Sequence, residues 1–299
     1  MVFAPFEPER PLAKRRRFRP IPVRTLVPNL ITLLALCAGL TGIRLAIEGK
    51  TEWAVAAIVF AATLDGIDGR VARMLKGTSR FGAELDSLAD FVNFGVAPAL
   101  ILYFWGLQDL GHAGWIAAMV FAICAGLRLA RFNVMIEDPN RPAWAANFFV
   151  GMPAPAGAVT GLLPIYIYFL GVPRSGLVEA IAFLYTLAIA FLMVSRLPVF
   201  SGKRVGKRVS PEMVLPVFVL VVLFFALLLS YPWPVLTIGT LIYLASLPFG
   251  VISYRSHERK TAHPAAAQSH AAAAVGPTAA PSPPQGEQPA EPERPARLN

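Results

Sequence analysis

The stretch DGIDGRVARMLKGTSRFGAELDSLAD, residues 65–90, sets four aspartates, Asp65, Asp68, Asp86 and Asp90, between two long apolar runs. Asp65 and Asp68 stand i and i+3, and Asp86 and Asp90 stand i and i+4, so each pair shares one face of a helix. Between the pairs, Gly77, Thr78, Ser79 and Gly82 supply turn chemistry. Two helices packed antiparallel about that turn bring all four carboxylates to one pocket. An Asp near the middle of a bilayer helix costs roughly 2.5–3.5 kcal/mol on the insertion scale. Four of them approach ~10 kcal/mol, which rivals the stability of a whole domain, and partial depth or water access only reduces that figure. A compensating charge is required. Convergent oxygen donors with no His or Cys point to a hard cation such as Mg²⁺, Mn²⁺ or Ca²⁺. Two divalent ions balance four negative charges, and a two-metal pocket is a recurrent device for phosphorus chemistry.

The surrounding chain supplies the bilayer. Of 299 residues 56% are apolar and only 15% charged, with a mean hydropathy of +0.56, too greasy for an ordinary soluble domain. Apolar runs of about 20 residues recur, each long enough to cross a membrane as a helix. Eight are expected, near 27–48, 53–75, 85–106, 113–135, 154–172, 177–198, 211–231 and 233–252. The fold class is therefore all-α, a polytopic membrane helix bundle. With the N-terminus inside, every one of the 27 Lys and Arg residues except Arg44, Lys50 and Arg174 falls on the inner side. That bias predicts cytosolic termini and an aspartate stretch that opens to the cytosol. The net charge of +9 has the same origin, so nucleic acid is not an expected partner. Cys37 and Cys124 fall inside spans and read as packing residues. The N-terminus is polar and Arg-rich, unlike a cleaved signal peptide.

Residues 1–26 form a basic cytosolic arm suited to anionic lipid headgroups, at about 1 kcal/mol per charge near the surface. Residues 253–299 are Ala/Pro-rich and expected to be disordered, which leaves His257, His263 and His270 without a metal role. Within the aspartate stretch, Gly69 and Ala72 keep the helix surface low, so that a phosphate can approach. Arg73, one turn on, offers it a forked pair of donors. Gly69 and Ala72 by themselves equally suit close helix packing.

The order Asp65-x2-Asp68-Gly69-x2-Ala72-Arg73-x8-Gly82-x3-Asp86-x3-Asp90 resembles the signature of the CDP-alcohol phosphatidyltransferases at every position. Those membrane enzymes exchange the CMP of a CDP-activated lipid for an alcohol. The resemblance implies a six-helix catalytic core, here 27–208, followed by two additional helices over 209–252, and a homodimer. It implies Mg²⁺ or Mn²⁺, two ions, on Asp65, Asp68, Asp86 and Asp90, with Asp90 also the general base. It places Asn29, Thr32, Gly69, Arg73, Ser79 and Gly82 around the CDP-lipid. A carboxylate in reach of the acceptor hydroxyl suits that chemistry, because an alcohol is a poor nucleophile at neutral pH.

Five further stretches resemble the serine-accepting bacterial branch of the family. They are VPNLITLLALCAGL (27–40), ELDSLADFVNFGVAPAL (84–100), GLRLARFNV (126–134), FVGMPAPA (149–156) and VSRLPVFSGK (194–203). This implies CDP-diacylglycerol and L-serine as substrates, phosphatidylserine and CMP as products, and the bacterial inner membrane as location. Arg128, Arg131 and Asn133 are the candidates for holding the acceptor, since an arginine can grip a carboxylate bidentately. Both arginines equally suit snorkelling to headgroups. Glycerol 3-phosphate or inositol is the alternative acceptor, with Arg141 available for a dianion, and Lys203 reads as a headgroup contact. A membrane cation transporter is the rival from another class, disfavoured because the acidic groups cluster at one face. A prenyltransferase would want two distant aspartate motifs.

Overall fold

Eight helical segments carry the described part of the chain, which in this computed structural model is residues 23–77, 79–137, 148–195, 197–200 and 211–250. They are α1 (Val23–Ile47), α2 (Thr51–Met74), α3 (Arg80–Trp105), α4 (His112–Glu137), α5 (Ala154–Phe169), α6 (Gly176–Val194), α7 (Pro211–Ser230) and α8 (Pro232–Gly250). Each expected span falls on one of them. Six, α1, α3, α4, α6, α7 and α8, are long and apolar enough to cross a membrane. Helix α2 carries Glu52, Asp65, Asp68, Arg70 and Arg73, and α5 is short, so the count of eight crossings reduces to six by this measure. The helical fold class stands, with one small ribbon added: β1 (Phe148–Val150) pairs antiparallel with β2 (Pro198–Phe200), Phe149 opposite Val199. The basic arm up to residue 22, Arg141, Lys203 and the tail lie outside the described residues.

Local chemistry explains the turns that position the site. Helix α1 ends on Gly49 at φ +75°, whose N–H bonds the Ala46 carbonyl at 3.0 Å while that of Lys50 reaches Leu45 at 2.8 Å. That glycine cap reverses the chain within three residues and lays α2 against α1. Gly42 allows the close approach, since a Cβ there would stand 3.2 Å from the Ala54 carbonyl. At the far end of α2 the chain turns through Lys76, at φ 49°, and Gly77. A Cβ on Gly77 would lie 2.0 Å from the Arg24 carbonyl oxygen, so the turn is pressed onto the start of α1. Ser79 then caps α3, its Oγ accepting from the Gly82 N–H at 3.0 Å.

Two helices are broken for identifiable reasons. In α5, Pro164 has no N–H to offer the Thr160 carbonyl, and the hydroxyl of Tyr185 donates to it instead at 2.7 Å. Tyr166 does the same for Val159 at 2.8 Å. In α3 the ladder widens to a π turn over Val92–Val96. Such a turn takes in one extra residue, about 100° of helix rotation.

The core forms two main clusters. Ala54, Val55 and Ile58 of α2 meet Ile101, Leu102 and Trp105 of α3 and Tyr166 of α5. Phe121 and Ala125 of α4 meet Ile189, Ala190 and Met193 of α6, with Tyr243, Leu244 and Leu247 of α8 packed against them. Large apolar side chains cover the outside, and no residue in the apolar stretch of α7 is buried. Such a surface is stable in lipid and not in water, and it marks a membrane protein.

Candidate active site

The last three turns of α2, the first turns of α3 and the start of α1 converge on one cleft. Carboxylate oxygens of Asp65, Asp68 and Asp86 all lie within 4.8 Å of one another. Asp90 joins them from the next turn of α3, its carboxyl within hydrogen-bonding reach of Asp65. The antiparallel pairing expected from the spacing is thus realised by the Gly77 turn. At an effective dielectric constant of ~20, two unit charges at that separation repel by about 3.5 kcal/mol. Among the described residues none of the ion pairs involves these aspartates. An all-oxygen donor set of this kind, without a salt-bridge partner among the described residues, fits a divalent metal ion.

Asp68 is the best fixed of the four. It is buried, and the hydroxyl of Thr32 on α1 lies 2.8 Å from its Oδ2 and 3.1 Å from the Pro28 carbonyl. A hydroxyl has one proton, and the nearer, charged acceptor holds it more strongly. Thr32, expected among the nucleotide contacts, orients a carboxylate in this structure.

The cleft has a volume of about 200 Å³ and is lined by Pro28, Asn29, Thr32, Asp68, Gly69, Ala72, Arg73, Gly77, Ser79, Gly82, Ala83 and Asp86. All six residues named for the CDP-lipid, Asn29, Thr32, Gly69, Arg73, Ser79 and Gly82, are among them. Gly69 faces open space, since nothing lies within 4 Å of where its Cβ would be. Gly82 is crowded instead: a Cβ there would stand 2.7 Å from Asn29 Oδ1. The first glycine leaves room for a ligand and the second brings α3 against α1.

The acceptor candidates separate. Arg128 of α4 is buried, its guanidinium 4.9 Å from the centre of the Phe132 ring, and its Nε has no hydrogen-bond partner among the described residues. It is near enough to Asp90 to interact with it electrostatically. Arg131 points elsewhere: Nη1 donates to Val194 O at 2.7 Å, and Nη2 to Met193 O and Ser195 O, both at 3.1 Å. Those are the free carbonyls at the end of α6, which a cation satisfies in both hydrogen bonding and charge. Gly151, at φ +79°, fits beside them because a Cβ would meet Met193 O at 2.5 Å. Gly151 and the end of α6, Met193 to Ser195, thus meet around Arg131. Asn133 donates to Ser87 Oγ at 3.0 Å and ties α4 to α3.

Sequence reasoning missed Asn93. It is buried in the π turn, its Oδ1 is unpaired among the described residues, and a Cβ on Gly39 would lie 2.1 Å from that oxygen. The polar residue inside an apolar span was the available signal. By pressing α3 onto α1 one turn beyond Asp90, this contact helps set the face on which Asp86 and Asp90 emerge.

Comparison with known proteins agrees with this geometry. Residues 25–194 match the family model described as CDP-alcohol phosphatidyltransferase, and residues 212–248 match that described as CDP-alcohol phosphatidyltransferase 2. Over 234 residues the chain is 41% identical to a CDP-diacylglycerol–serine O-phosphatidyltransferase of Mycobacterium leprae, covering 77% of this chain and 76% of that protein. The protein of the same name from Helicobacter pylori is 34% identical over 239 residues, covering 79% of this chain and 93% of its own length. That from Bacillus subtilis is 35% identical over 171 residues, 57% of this chain and 88% of that protein.

Proposed function

The chain belongs to the CDP-alcohol phosphatidyltransferase family, and on that footing we propose that it transfers the phosphatidyl group of CDP-diacylglycerol to the hydroxyl of L-serine, giving phosphatidylserine and CMP. The observation that carries this reading is the meeting of Asp65, Asp68 and Asp86 beside the open surface of Gly69 and Arg73. The serine acceptor is supported by the names of the relatives in three bacterial groups.

The aspartates would hold divalent metal, Mg²⁺ or Mn²⁺ and two ions, which when bound neutralises charge on the pyrophosphate oxygens. The rest is done by the chain. Arg73 offers forked donors to the same oxygens, and Gly69 admits the phosphate to the helix surface. Asn29, Thr32, Ser79 and Gly82 line the nucleotide side. Asp90 accepts the proton of the serine hydroxyl as that oxygen bonds to the phosphorus bearing diacylglycerol. The bond from that phosphorus to the bridging oxygen breaks, and CMP departs with the electron pair. Arg128 faces this base and receives the acceptor's anionic end, with Arg131 and Asn133 bracing α4 beside it.

The chain acts in the bacterial cytoplasmic membrane as a homodimer, its termini and cleft on the cytosolic side, where the Lys and Arg bias places them. The acyl chains then remain in lipid while CDP meets water. The catalytic core is 27–208, with 209–252 as two added helices, and the basic arm of 1–26 engages anionic headgroups. The test is CMP release from CDP-diacylglycerol with labelled L-serine, glycerol 3-phosphate or inositol, with and without chelator. Chelator-sensitive transfer to serine is expected. Transfer to another acceptor alone would refute the serine assignment and leave the family chemistry standing.

A further inference from the structure

Three side chains on the inward face of α8 present buried hydroxyls with no hydrogen-bond partner among the described residues: Thr237, Thr240 and Tyr243. Elsewhere in the bundle a threonine hydroxyl returns to the carbonyl four residues back, as Thr63, Thr160 and Thr186 do. A helix added only to seal a bundle has no use for such a polar stripe, since each unmet hydroxyl in a dry environment costs free energy. Tyr243 packs against the core cluster to which Cys124 and Ala125 of α4 belong, and Arg128 stands one turn beyond Cys124 on that helix. The Tyr243 hydroxyl and the Arg128 guanidinium are close enough to interact electrostatically, and Arg128 interacts in turn with Asp90. Two buried donors thus lie within electrostatic range of each other, one of them also within range of the proposed base, and the Nε of one and the hydroxyl of the other have no hydrogen-bond partner among the described residues.

We propose that α8 completes the acceptor pocket: the Tyr243 hydroxyl donates, together with Arg128, to the carboxylate of the incoming amino acid. This rests on the reading of the chain as a serine-accepting transferase and adds a specificity-determining residue from outside the six-helix core. The arrangement has a physical rationale. A buried guanidinium and a phenol hydroxyl together offer donors and no acceptor charge of their own, which favours an acceptor with an anionic end over one without.

The test is Tyr243→Phe in the full-length enzyme, which removes one oxygen and keeps the ring packed. Tyr231→Phe, an exposed tyrosine just before α8, serves as control. With L-serine the KM should rise roughly tenfold or more, the value for losing a hydrogen bond to a charged group, with KM for CDP-diacylglycerol unchanged. The preference for serine over ethanolamine, which lacks the carboxylate, should fall by the same factor. Tyr231→Phe should leave both unchanged. An unaltered serine KM in Tyr243→Phe overturns the proposal, as does an equal change in both substrates' KM, which a packing role would produce. Should the wild type transfer to glycerol 3-phosphate and not serine, the serine reading fails. The same KM shift measured with that anion would still uphold an anion pocket, and its absence would overturn it.

Discussion

Replacing Thr32 by Val keeps the volume of a buried side chain and deletes the hydroxyl that lies 2.8 Å from Asp68 Oδ2. A hydrogen bond to a charged acceptor contributes about 1.5–3 kcal/mol. At 1.4 kcal/mol per tenfold, that is roughly 10–150-fold in the equilibrium it supports, close to the 10–100-fold in metal affinity usual for a group that orients a ligand. The Pro28 carbonyl loses its side-chain donor as well, but it is already within a helix. The effect should therefore appear in the metal titration. With CMP release followed against Mg²⁺ or Mn²⁺, the half-saturating concentration should rise 10–100-fold, and the rate at saturating metal should recover to within a few-fold of wild type. KM for CDP-diacylglycerol, measured at saturating metal, should move little. A metal midpoint that stays in place while that KM rises would refute the reasoning and make Thr32 a nucleotide contact only.

Other perturbations probe other parts of the site. Asp90→Asn should retain binding of CDP-diacylglycerol and lose transfer by 10²-fold or more, the usual scale of a general base; unchanged turnover would remove that role. Arg131→Gln strips the three carbonyls at the end of α6 of their donor. It should lower the unfolding temperature of the detergent-solubilised protein at little cost to the serine KM, whereas a direct acceptor contact predicts the reverse pattern. Gly77→Ala would drive a methyl into the Arg24 carbonyl, 2.0 Å from where its Cβ must stand. It should displace the α2–α3 turn and abolish metal-dependent activity even though residue 77 bears no side chain to do chemistry; a fully active variant would show that the turn tolerates the shift.

The helical membrane class and the convergence of the aspartates follow from the sequence by itself, while the number of helices long and apolar enough to cross does not. Span positions depend on local apolar content, and each of the eight expected runs lies on one helix. The aspartate spacing is a statement about helix faces, which holds wherever the helices lie. Only the tertiary structure could distribute the roles of residues that look alike in sequence. Arg128 and Arg131 are three residues apart on α4, yet one lies buried near Asp90 and the other closes the carbonyls of α6. That difference is made by which helix packs against each face, a long-range contact that no local pattern encodes. Thr32 and Asp68 are 36 residues apart, and Arg128 and Tyr243 are brought together by separate helices, so neither pairing exists until the bundle closes. Burial, which depends on every neighbour at once, then decides which polar atoms must find a partner in the protein and which are left for a ligand.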